Sequence, residues 1–184
     1  MERMNLKSRS DQYGSRINRV HSPLRARVVP YASILVASVI PALLLAGTMP
    51  VAPPFGFLVL LGWRMVRPGL LPLWVGLPLG AFDDLFSGQP FGSAILLWSI
   101  TMLVLELLEE RFPFHGFWQD WFTASIAIVL YLLAAMAASG AVPTIFHLTA
   151  SMPQLLLSIL LYPIIALMVA ALDKFRLSRV RVIR

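Results

Sequence analysis

The sequence contains no cysteine, and only 13% of its 184 residues are charged. The lack of cysteine excludes a disulfide-stapled secreted fold, because no thiol is available for oxidation. The low charge excludes an ordinary soluble domain, in which about 25% of residues are charged. Hydrophobic residues make up 58% of the chain, and the mean hydropathy is +0.78, which also excludes intrinsic disorder. This composition predicts a polytopic membrane protein.

Lysine and arginine are absent from three long blocks, residues 28–63, 68–110 and 112–173. One crossing of the hydrocarbon core takes about 20 residues, so each block accommodates two spans. Glycine and proline, which end helices and form turns, lie near the middle of each block. The pattern predicts an all-α integral membrane protein whose six transmembrane helices form three hairpins. We place them at about 28–49, 53–66, 70–86, 90–108, 119–140 and 153–172.

All 15 basic residues then fall on one side of the membrane. The positive-inside rule puts that side, and both termini, in the cytoplasm (N-in/C-in). This position of the charges argues against nucleic acid as a partner, although the net charge is +6. The predicted domains are a flexible basic tail (1–27), a six-helix transmembrane domain (28–172) and a second basic tail (173–184). The tails have enough charge to attract anionic lipids or a cytoskeletal filament, but the topology requires that charge in any case.

Two adjacent acids, Asp83 and Asp84, fall at the extracytoplasmic end of the third span. A carboxylate there is disfavoured by its own helix dipole, but it can fold across the Ser87–Gly88 turn and accept from the free N–H groups that begin the fourth span. Neighbouring residues on a helix point about 100° apart, so we expect one acid to do this and the other to reach headgroups or water. A proton relay or a ligand site is the alternative role.

A second polar cluster is expected at the cytoplasmic side. Glu106, Glu109 and Glu110 share one face of the fourth span, and Arg64 and Arg67 end the second span on the same side. Both a charge cluster linking these ends and a solvated helix end fit the pattern. We find no nucleophile, base or metal-ligand set, so we predict a protein that is not an enzyme and has no cofactor or bound metal.

Small residues predict where helices approach closely. Gly76 and Gly80 form a G-x-x-x-G in the third span, where Pro72 and Pro78 should add kinks. Because this span is rich in glycine and proline and ends in acids, we expect it to lie inside the bundle.

The segment from Gly80 to Gly92 resembles the G-L-x-x-D-L-x-x-G-x-x-x-G signature of the rod shape-determining protein MreD family. Asp84 falls on its acidic position and Leu85 on its apolar position, while Gly80, Gly88 and Gly92 fall on its glycines; Ala81 stands where leucine is common. Upstream, Arg67-Pro68 matches the basic-proline element that usually precedes the third span. The motif covers about 30 residues, and the length and six-span layout agree over residues 28–172.

The resemblance implies a component of the cell-elongation machinery in the bacterial inner membrane, with no enzymatic activity. It implies association with an MreC-like bitopic protein and, through it, with the MreB filament, a RodA-type glycosyltransferase and a class B penicillin-binding transpeptidase. It also implies a bundle similar to the substrate-binding subunits of energy-coupling-factor transporters.

Three functional hypotheses follow. The first is a non-enzymatic scaffold that binds partner membrane proteins and positions peptidoglycan synthesis, with partner contacts expected around Ser87–Gly92 and Gly140–Met152. The second is a small-solute or vitamin-binding subunit of a transporter, which would need polar groups converging in the bundle; the fifth and sixth spans offer few. The third, a lipid-modifying enzyme, lacks any set of catalytic groups.

Overall fold

The computed structural model describes residues 19–20, 23–45, 52–111, 116–140, 145–177 and 180–181. These residues form six α-helices. They are α1 (Pro23–Leu45), α2 (Phe55–Val66), α3 (Gly76–Asp84), α4 (Ser93–Arg111), α5 (Phe117–Ala138) and α6 (Ile145–Arg176). A 3-10 helix, Leu73–Val75, precedes α3, and the short strand β1 (Arg19–Val20) pairs antiparallel with β2 (Val180–Arg181).

Among the residues that the structure describes, three helical segments are long and apolar enough to cross a membrane: Arg25–Leu43, Phe117–Ala138 and Thr149–Arg176. Large apolar side chains cover their outer faces, as at Leu130 (60% exposed) and Leu167 (71% exposed). A fold of packed helices with an apolar outer surface is that of an all-α membrane protein, which agrees with the coarse prediction from composition.

Consecutive helices pack in pairs, α1 with α2, α3 with α4 and α5 with α6, and α2 also packs against α6. The core lies around α2, in which ten consecutive residues, 56–65, are buried. A helix that is apolar on every face is expected to be buried in this way. With 12 residues, α2 rises only about 18 Å along its axis.

The prediction that the third span lies inside the bundle is right for one face only, because five of the nine residues of α3 are buried. On α3, Leu77 and Pro78 are exposed, and Trp74 just before it is 64% exposed. Gly76 and Gly80 lie on the face of α3 that contacts α4, where they allow the two backbones to approach closely. A Cβ at Gly76 would lie 3.0 Å from the Ser99 Cα, and a Cβ at Gly80 would lie 2.7 Å from the Ala94 carbonyl oxygen.

Several helix ends also differ from their predicted positions. The third helix is only Gly76–Asp84, because Pro72 stands before a separate 3-10 helix. Pro78 is the third residue of α3, where a helix needs no N–H donor, so it can sit there without breaking a hydrogen bond. At the other end of the chain, α6 begins at Ile145 rather than near 153, and continues through Pro153 and Pro163.

Candidate functional site

Asp84 lies at the end of α3 and binds the beginning of α4. Its carboxylate accepts hydrogen bonds from the backbone N–H groups of Gly92 (2.8 Å), Ala94 (2.9 Å) and Ile95 (3.3 Å). The hydroxyl of Ser93 donates a fourth, at 3.3 Å. These donors have no carbonyl partner inside α4, and the helix dipole favours a negative charge at this position. One of the two adjacent acids thus crosses the turn, as the sequence predicts.

The connection between Asp84 and α4 turns sharply at two glycines. Gly88 has a φ of +68° and Gly92 a φ of +101°, conformations that side chains other than glycine rarely adopt. Gly80, one turn before Asp84, allows the backbones of α3 and α4 to touch. These three glycines and Asp84 therefore all contribute to the junction between α3 and α4. We call residues 83–92 the acidic turn.

Asp83 is 7% exposed and lines a partly open cavity of about 160 Å³ at this end of the bundle. The cavity has room for water, so the expectation that the second acid reaches water stays a prediction. The roughly 100° between neighbouring helical residues does separate the two acids. Both directions lead into protein, however, because α4 covers one side of the end of α3 and α1 packs on another.

Asp83 lies beside Gly56, near the beginning of α2. Near the other end of α2, Arg64 is 1% exposed and forms ion pairs with two acids of α4. Its Nη2 donates to Glu106 and, at 2.8 Å, to Glu109, while its Nη1 donates to the Leu71 carbonyl oxygen at 3.3 Å. This cluster connects α2, α4 and the segment before α3. Glu110, which the sequence groups with them, is exposed.

Arg67 belongs to a different ion-pair group. It is paired with Asp173 of α6 at 2.9 Å, and Asp173 also accepts from Arg176 at 2.7 Å. Arg176 in turn donates to the Ala26 carbonyl oxygen (3.0 Å) and stands over the Trp63 ring. Sequence reasoning missed Asp173. Its spacing of three residues from Arg176 in a helix was the signal available for finding it.

Most of the predicted site residues therefore fall into two separate groups, while Arg67, Leu85 and Glu110 belong to neither. Gly80, Asp84, Gly88 and Gly92 form the junction of α3 and α4, whereas Leu85 is 67% exposed. Arg64, Glu106 and Glu109 lie together at the other end of the bundle. Among the residues that the structure describes, no group of three His, Cys, Asp or Glu side chains is arranged to hold a metal ion.

A third feature is an apolar groove of about 630 Å³ between α4 and α5. Its walls include Leu97 and Val104 of α4 and Ala127, Leu130 and Ala134 of α5. Small residues on α5 leave room for another backbone to come close, which is how membrane helices associate.

No protein-family model, curated protein or solved structure matches the chain.

Replacing Asp84 with Ala should lower the free energy of unfolding by about 1–3 kcal/mol, because buried N–H donors lose their acceptor. Asp84→Asn keeps one acceptor oxygen and should lose less. Thermal unfolding of the detergent-solubilised protein measures both, with Glu110→Ala as a control that removes an exposed carboxylate. Equal stability of Asp84→Ala and the unaltered protein would contradict the capping role.

Replacing Arg64 with Ala should cost about 3 kcal/mol, at the low end for breaking a buried pair, since it leaves two acids without their partner. We choose the low end because Glu106 is 37% exposed. The matched control is Arg67→Ala, which removes a half-exposed arginine and leaves Asp173 paired with Arg176; it should cost about 0–1 kcal/mol. Similar losses for the two variants in the same unfolding assay would show that Arg64 is not the stabilising group.

Proposed function

We propose that the protein is a non-enzymatic scaffold of the bacterial cell-elongation machinery, which binds partner membrane proteins to position peptidoglycan synthesis and maintain cell shape. The observation that carries the proposal is the segment from Gly80 to Gly92. Its residues resemble the MreD signature, and four of them, Gly80, Asp84, Gly88 and Gly92, each have a definite task at one junction. Residues of these types at these positions fix the geometry of the α3–α4 pair, as a surface that binds a partner requires.

The proposed setting is the inner membrane, with six spans, both termini in the cytoplasm and a bundle like the substrate-binding subunits of energy-coupling-factor transporters. Two features support this topology. The described basic side chains of α2 and α6 gather at the Arg64 end of the bundle, while the acidic turn lies at the other. The pairing of β1 with β2 also holds the segments before α1 and after α6 side by side, as an even number of crossings requires.

The proposed direct partner is a bitopic protein of the MreC type, through which the MreB filament, a RodA-type glycosyltransferase and a class B penicillin-binding transpeptidase are reached. The groove between α4 and α5 supports binding of a single transmembrane helix. Its lining is mostly apolar, and Ala127 and Ala134 allow close approach of a partner backbone. The exposed side chains Leu103 and Leu107 of α4 and Ile126 of α5 widen this apolar surface.

The topology can be tested with introduced cysteines, because the chain has none of its own. Ser139→Cys, after α5, should react with a membrane-impermeant maleimide added to intact cells. Glu110→Cys, at the end of α4, should react only after the membrane is permeabilised. Both positions are exposed, so a difference in labelling reports the side of the membrane. Labelling of Glu110→Cys from outside would overturn the six-span arrangement.

The scaffold function can be tested by filling the groove. Ala134→Trp should block a partner helix, so that the bitopic partner no longer co-purifies from mild detergent and rod-shaped cells depleted of the natural protein become round. The matched control, Leu167→Trp, places the same ring on the exposed face of α6 and should retain both partner and shape. Equal partner recovery and normal rods with Ala134→Trp would exclude the groove as the contact. Normal rods after complete depletion would exclude the function itself.

A further inference from the structure

The cavity beside Asp83 is polar and has no part in the proposed scaffold function. It has a volume of about 160 Å³, is partly open, and is lined by parts of α1, α5 and α6, the residues before α2, and the acidic turn. Its polar lining consists of six side chains: Ser38, Asp83, Ser87, Gln89, Tyr131 and Gln154. The cavity has room for several water-sized groups.

The cavity is built around a close approach of Ser38 and Asp83. Gly56 makes that approach possible, because a Cβ at this position would overlap the Ser38 hydroxyl and lie 2.9 Å from the Asp83 Oδ1. Tyr131, 3% exposed, is fixed by stacking on Phe57 at 4.1 Å between ring centroids. The Gln154 Nε2 donates to the Ala52 carbonyl oxygen at 2.9 Å, which fixes that side chain as well.

Two hydroxyl groups of this lining are buried and line the cavity. The Ser38 hydroxyl lies beside the Asp83 carboxylate, and the Ser87 Oγ has no hydrogen-bond partner among the described residues. Ser38 as a whole is only 3% exposed. Buried hydroxyls are normally hydrogen-bonded, since leaving one unpaired costs free energy. These oxygens are therefore suited to a ligand that donates hydrogen bonds.

The charge of Asp83 also calls for a partner. The ion pairs of Arg64, Arg67 and Arg176 lie at the other end of the bundle, and none of them includes Asp83. No lysine or arginine occurs between Arg67 and Arg111 in the sequence, so the chain offers no cation nearby along it. A buried carboxylate is stable only when its charge is neutralised or paired.

We propose that this cavity binds a primary ammonium group of a small molecule, with Asp83 as its counter-ion and the hydroxyls of Ser38 and Ser87 as acceptors. An ammonium group has three donors, which matches one carboxylate and two hydroxyl oxygens. Pro41, Ala52, Pro53 and Pro54 complete the lining and provide contact for a short apolar portion of the ligand. The ammonium comes either from a free amine or from the headgroup of an ethanolamine lipid. This binding site does not depend on the proposed scaffold function.

The experiment uses the full chain in nanodiscs and follows its thermal unfolding. Ethanolamine, added to nanodiscs of phosphatidylglycerol, should raise the melting temperature, whereas ethylene glycol and sodium chloride at equal concentration should not. Nanodiscs that contain phosphatidylethanolamine test the lipid source. Asp83→Asn keeps the shape of the side chain and removes its charge, so it should weaken amine binding about tenfold or more. Glu110→Gln, the same change on an exposed carboxylate, should bind like the unaltered protein.

Asp83→Asn should also be the more stable protein when no amine is present, because it no longer buries an unpaired charge. Ser87→Ala is a milder second variant that retains Asp83 and should bind ethanolamine more weakly. A response to the ethanolamine lipid alone, lost in Asp83→Asn, would support the proposal and identify the lipid as the source. No response to either amine, an equal response to sodium or ethylene glycol, or undiminished binding by Asp83→Asn would overturn it.

Discussion

The contact between Asp84 and the beginning of α4 determines how the two most extensively paired helices meet. A carboxylate there satisfies N–H groups that would otherwise have no partner in a low-dielectric surrounding, where leaving them unpaired is expensive. The arrangement requires a sharp connection, which the left-handed conformations of Gly88 and Gly92 provide. It also requires the backbones to be in contact one turn earlier, which Gly80 allows. The remaining helices pack around the pair and the buried α2.

The two ends of α2 place polar chemistry at opposite ends of an apolar core. At one end Arg64 and the group around Asp173 connect four helices, α1, α2, α4 and α6, through ion pairs and hydrogen bonds. At the other end the charge on Asp83 faces a cavity, without an ion pair among the described residues. At the Arg64 end, acidic and basic side chains are paired, whereas the lining of the cavity at the Asp83 end has acidic but no basic side chains. Ion pairs therefore stabilise the bundle at the Arg64 end, and the carboxylate of Asp83 could bind a cation at the other end.

Much of this fold could be predicted from the sequence. The described residues of the predicted breaks, Pro53-Pro54, Ser87–Pro90 and Ser139–Gly140, do lie between helices, because glycine and proline act locally on the backbone. The bond from Asp84 to the next helix followed from the dipole and the free N–H groups, which are also local. Leu85, by contrast, fits the family signature but is exposed, and the structure assigns it no contact that explains the match.

The errors came from properties that depend on how distant segments pack. Nothing near Asp83 in sequence indicates the cavity, which is formed by side chains from α1, α5 and α6 as well. Arg67 was grouped with the nearest acids of the fourth helix, but Asp173, more than 100 positions later in the chain, is its partner. The sequence does not predict the central position of α2 either, because a helix that is apolar on every face can contact either lipid or protein.

The outer surface of α3 has a consequence for the surrounding lipid. The 3-10 helix of three residues and the nine residues of α3 together rise only about 20 Å, while the 19 residues of α4 rise about 28 Å. Trp74 and Leu77 face outward along this short stretch. If this face contacts lipid, its shorter rise has to be accommodated, for example by local thinning of the bilayer or by oligomerisation, which the longer α5 and α6 do not require.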